Sequence, residues 1–64
     1  MKNQIKEVRL MKGLNQRELS EKTHTPQSII SSLERGVLKP WPKVMKKLSR
    51  VLKTPAEVLF PENR

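Results

Sequence analysis

Apolar side chains recur along the chain three and four residues apart, the period of a helix with one buried face, and each such run ends at a glycine or a proline. Ile5 and Val8 open the first run, and Gly13 closes it as a residue suited to a left-handed helix end, so helix one is predicted over roughly residues 2–12. Asn15 followed by Glu18 reads as a capping box that starts helix two at Gln16. Leu19 and Ser20 face inward on that helix, which fails near Thr23 because Pro26 bars its predecessor from helical geometry. Thr25 is expected to cap helix three, with Pro26 at its first position and Ile30 and Leu33 on one face, and the helix is predicted to run to about Arg35. Gly36 ends it. After the proline-flanked connection Val37 to Pro42, Val44, Leu48, Val51 and Leu52 mark an amphipathic helix four with a basic far side. Thr54 and Glu57 read as a second capping box, opening a short helix five that carries Val58 and Leu59 and stops by Pro61. No strand alternation, internal repeat or low-complexity tract is apparent, and the connections are short. The expected fold is all-α: one compact five-helix domain over residues 1–64.

Composition narrows what such a domain can do. In 64 residues there is room for one small core and none for an enzyme cleft, and without cysteine its stability must come from packed helices or from association. A formal net charge of +8 calls for an anionic partner, nucleic acid or anionic membrane. No apolar run approaches the roughly 18 residues of a spanning helix, and Met1 leads into helical periodicity without a secretory signal, so a cytoplasmic setting and no membrane partner are expected. A lone His24 without cysteine cannot build a closed metal site, and Glu18 and Glu21 read as surface carboxylates. No catalysis, metal or cofactor is expected. Trp41 and Phe60 are the only aromatic residues, too few for a base-stacking platform, which favours duplex DNA over RNA.

Two helices joined by a short turn inside a basic domain form the unit that places its second helix in the major groove, and that unit spans Gln16 to Arg35. With Ile30 and Leu33 turned inward, Gln27, Ser28, Ser31, Ser32 and Arg35 point outward as candidate base contacts. Gln27 can pair bidentately with adenine, and the serines accept several bases. Asn15, Gln16 and Arg17 at the start of helix two, with Lys39 and Lys43 after helix three, are candidate phosphate contacts that position without reading sequence. Lys46, Lys47, Arg50 and Lys53 read as a solvated helix face.

The stretch Gly13 to Ser20, followed by Ile30-Ser31-Ser32-Leu33-Glu34-Arg35-Gly36 and by Thr54 to Leu59, resembles the phage repressor and Cro family, also called the Xre family. The resemblance covers almost the whole chain. His24 stands where the family usually has glycine, and Thr25 where it usually has an apolar residue. The resemblance implies base contacts from Gln27, Ser28 and Ser32, a phosphate contact from Gln16, and a largely buried salt bridge between Arg9 and Glu34. It also implies a dimer surface around Leu38, Trp41, Val58 and Phe60, with core packing as the competing role for each.

One reading helix covers few base pairs, so a sequence-specific transcriptional regulator that binds double-stranded DNA as a homodimer is expected, with a repressor on an inverted-repeat operator as its leading form. No separate oligomerisation domain is expected, and self-association is expected to be weak and completed on DNA. The alternative is an antitoxin-like module that binds and neutralises a protein partner, with DNA binding secondary. A nonspecific polyanion binder using the basic side of helix four is a third reading.

Overall fold

The computed structural model describes residues 3–61, with five helices: α1 Ile5–Met11, α2 Gln16–Thr23, α3 Gln27–Glu34, α4 Pro42–Leu52 and α5 Ala56–Leu59. The predicted start of helix one at residue 2 lies outside the described residues. Among those described, Asn3 begins the first turn, its Oδ1 accepting from Ile5 N at 3.1 Å while its Nδ2 donates to Leu33 O at 2.7 Å. Gln4 N donates to Leu59 O at 2.8 Å. The beginning of the chain is thereby tied to the far ends of α3 and α5.

Ile5, Leu19, Ile30, Leu33, Val44, Leu48, Leu52, Leu59 and Phe60 form one core, to which every helix contributes. α3 packs on α2 and α1, and α4 packs on α2, α1 and α5. Such burial is the main favourable term in so short a chain.

Four helices end alike. After α1, Gly13 at φ 74° donates to Leu10 O, and Leu14 N reaches back to Arg9 O. This pair of returning bonds is the Schellman motif, which satisfies carbonyls left over at a helix end. His24, Gly36 and Lys53 sit at the same position after α2, α3 and α4, with φ of 52°, 76° and 51°. The left-handed conformation costs a residue with a Cβ about 1–2 kcal/mol. Part of that returns on substitution with glycine, whose greater freedom in the unfolded chain offsets the rest. Replacing His24 or Lys53 with Gly is therefore expected to stabilise the protein by about 0.5–1 kcal/mol, read as a rise in melting temperature.

Two of the predicted caps do not form. Helix α3 starts at Gln27 with Pro26 at its N-cap and no side-chain cap, because the Thr25 hydroxyl turns back and donates to Thr23 O at 3.1 Å. Thr54 likewise donates to Leu52 O at 2.9 Å, and Pro55 precedes α5 without a capping box. In both places the threonine bonds to the helix behind it and not to the one ahead. The Asn15–Glu18 box is present in both directions, at 2.7 and 2.8 Å.

These two turns expose an internal repeat that periodicity did not show. Leu19, Ser20, His24, Thr25, Pro26, Ile29 and Ile30 recur in order and spacing as Leu48, Ser49, Lys53, Thr54, Pro55, Val58 and Leu59. Ser20 Oγ donates to Thr25 O at 2.5 Å, and Ser49 Oγ to Thr54 O at 2.7 Å. Pro26 (φ −53°, ψ 141°) and Pro55 (φ −58°, ψ 145°) share one conformation. The α4–α5 unit thus copies the α2–α3 unit, with a trailing helix cut to four residues.

Candidate nucleic-acid interface

The α2–α3 unit is held from behind by a buried ion pair. Arg9 Nε donates to Glu34 Oε2 at 2.6 Å and Nη2 to Oε1 at 3.2 Å, with side chains only 7% and 3% exposed. Arg9 Nη1 also donates to Leu14 O at 2.9 Å, and Gln16 Nε2 to Glu34 Oε1 at 3.0 Å. No buried side-chain polar atom among the described residues lacks a partner. A charge pair removed from water is tolerable only under such full satisfaction, and here it fixes α1, the start of α2 and the end of α3 against one another.

That network makes Gln16 more than a surface residue. One Nε2 hydrogen is committed to Glu34, which leaves the second and the unpaired backbone N–H groups of the first α2 turn for an anion. The hydrogen bond joins two residues far apart in sequence, and no sequence pattern pointed to it. Asn15 Oδ1 is committed to Glu18 N, so only its Nδ2 group is available to a partner. Arg17 is well exposed and lies 3.5 Å from Glu21, an exposed pair of little energetic weight.

On the outer side of α3, Gln27, Ser28 and Arg35 are exposed, and Ser31 and Ser32 are half-buried between and beside them. At 100° per residue these five share one sector, opposite Ile30 and Leu33 in the core. Lys39 and Lys43 are exposed beyond it, at the approach to α4 and in its first turn. The α4–α5 copy has no equivalent reading face: Glu57 occupies the place of Ser28, and a carboxylate there repels phosphate.

A model of the helix-turn-helix family matches residues 5–59. The chain belongs to the Xre/lambda-repressor-like helix-turn-helix family. It is also similar to a solved chain of the SinR protein/SinI protein complex, with 34% identity and a TM-score of 0.86 over 95% of this chain. It spans 60% of the length of that chain. No curated protein matches it. The α2–α3 unit is the helix-turn-helix that defines this family.

The four residues expected at a dimer surface do not behave alike. Phe60 is 1% exposed and belongs to the core, because α5 folds back across α4 and carries the ring inward, so it is withdrawn from that surface. Leu38 is half-buried, whereas Trp41 and Val58 are 41% and 51% exposed. Leu10, Met11 and Val37 are also exposed, without any earlier expectation that they would be. Among the described residues no helix is long and apolar enough to cross a membrane, and no three metal-ligating side chains come together.

Proposed function

We propose that the protein is a transcriptional repressor that acts in the cytoplasm and binds an inverted-repeat operator as a dimer, with α3 of each protomer in the major groove. One observation carries the reading: Gln27, Ser28, Ser31, Ser32 and Arg35 share one sector of α3 while the buried Arg9–Glu34 pair anchors the end of the helix to α1. Gln27 reads adenine, the serines add permissive hydrogen bonds, and Arg35 takes guanine or a phosphate. Asn15, Gln16, Arg17, Lys39 and Lys43 fix the register on the backbone. An eight-residue helix is about 12 Å long and covers only a few base pairs, so two heads about 34 Å apart supply the specificity. Exposed Trp41 and Val58, with half-buried Leu38, serve protomer contact, and the association is weak until DNA holds both protomers.

Replacement of Gln27 with Ala on a duplex selected from random sequence is the test. The expected loss is about 1–3 kcal/mol, confined to one base position per half-site. Equal weakening on every sequence would remove Gln27 from the reading role.

A second reading is control by a protein partner, in the manner of an antitoxin. It is favoured by the similarity to a chain solved in a complex of two different proteins, and by the exposed Leu10 and Met11, which the DNA-binding face does not use.

A further inference from the structure

The DNA-binding reading uses only Lys43 on the basic side of α4. Lys43, Lys46, Lys47 and Arg50 fall in one sector of α4, about 100° wide at 100° per residue, and Lys53 follows just past its end. Lys43 is expected on the operator backbone, and the others on α4 continue from it along about 10 Å of helix. Sequence alone assigns such a run to solvent. Folding changes that assignment, because the C-terminal end of α2 closes against α4 and brings Lys22 and His24 across from Lys47 and Arg50. The groove between them is about 170 Å³, with Thr23 and Val51 as its floor. Among the described residues no ion pair engages Lys22, Lys47 or Arg50. On the α5 side, Glu57 lines a different groove together with Lys46 and Arg50.

We propose that this α2–α4 groove grips the phosphate backbone of a second duplex while α3 reads the first, so that one protein molecule holds two DNA segments. The inference rests on the DNA-binding reading of α3. Lys22 and His24 stand at the end of α2 opposite Gln16, about 12 Å from the end that faces the first backbone. A membrane does not suit the groove, since interfacial helices insert an apolar face and that of α4 is buried through Val44, Leu48 and Leu52. An acidic protein segment does not suit it either, because it offers no exposed apolar or aromatic anchor of the kind on which protein interfaces depend. A stripe of cations without such anchors matches a duplex backbone, whose binding comes from charge neutralisation alone.

The test uses an immobilised operator duplex loaded with the full chain, and a labelled duplex of scrambled sequence in solution at low salt. The wild type is expected to capture the labelled duplex. The variant Lys22→Gln/Lys47→Gln/Arg50→Gln, checked for an unchanged melting midpoint, is expected to retain operator affinity within about threefold. Its capture of the second duplex should fall at least tenfold, with the log–log salt slope for that duplex lowered by about three. Undiminished capture by the variant would mean that bridging runs through the two reading heads of a dimer, and would overturn the proposal. It would also be overturned if the loaded wild type captured no duplex but retained labelled polyglutamate or phosphatidylserine vesicles. Loss of operator affinity in parallel with capture would place these cations on the first backbone and overturn it too. Failure of the wild type to load on the operator at all would remove the DNA-binding reading together with it, a result distinct from the other three.

Discussion

Substitution of Arg9 with Met is expected to lower stability by about 3–5 kcal/mol, because it leaves Glu34, 3% exposed, as a buried charge with only the Gln16 amide as donor. A domain of this size has little more than that to lose. The melting midpoint should therefore drop by at least about 12 °C, or the transition should disappear from the accessible range. The double variant Arg9→Met/Glu34→Leu removes both charges and is expected to recover most of the loss, since the penalty lies in the stranded carboxylate and not in the absent attraction. Thermal melts of the wild type, Arg9→Met, Glu34→Leu and the double variant give the coupling directly. Additive losses in the double variant would show that the pair contributes through packing alone.

Substitution of Phe60 with Ala is expected to cost about 3–5 kcal/mol, the range for a fully buried aromatic side chain. The effect should be the same at low and high protein concentration, because the ring fills the core of one chain. Val58 is half-exposed beside it, and its replacement with Ser should change the low-concentration melt by less than about 0.5 kcal/mol. Melting at two concentrations separates the roles. A Phe60→Ala loss that vanished at low concentration would return this ring to a protomer interface.

What was legible in the sequence followed from how local the determining contact is. The α2 start could be read because both halves of the Asn15–Glu18 box lie within four residues, and the end of α1 because Gly13 carries its own signal. Thr25 and Thr54 were misread for a related reason. A threonine before proline resembles an N-cap, but its hydroxyl has a second acceptor on the preceding helix, and the Schellman turn brings that carbonyl close. The internal repeat gives no signal in hydrophobic period, because its apolar residues are spaced as in any amphipathic helix and the Ser, Thr and Pro identities that mark it surround the turns. The outward sector of α3 came from period alone. The Arg9–Glu34 pair came only through family resemblance, since nothing local links two charges on different helices. The Gln16–Glu34 bond and the Lys22–Arg50 groove needed tertiary structure.

The most direct measurement of the central claim is selection of binding sites from random duplex DNA, followed by affinity for the selected and a scrambled duplex across a salt series. Recognition by paired α3 helices predicts an inverted repeat with half-site centres about one helical turn apart, bound at least about a thousandfold more tightly than the scrambled duplex. Binding that is equal on both duplexes and falls with salt alone would show that charge and not the face of α3 governs the interaction, and would contradict the account.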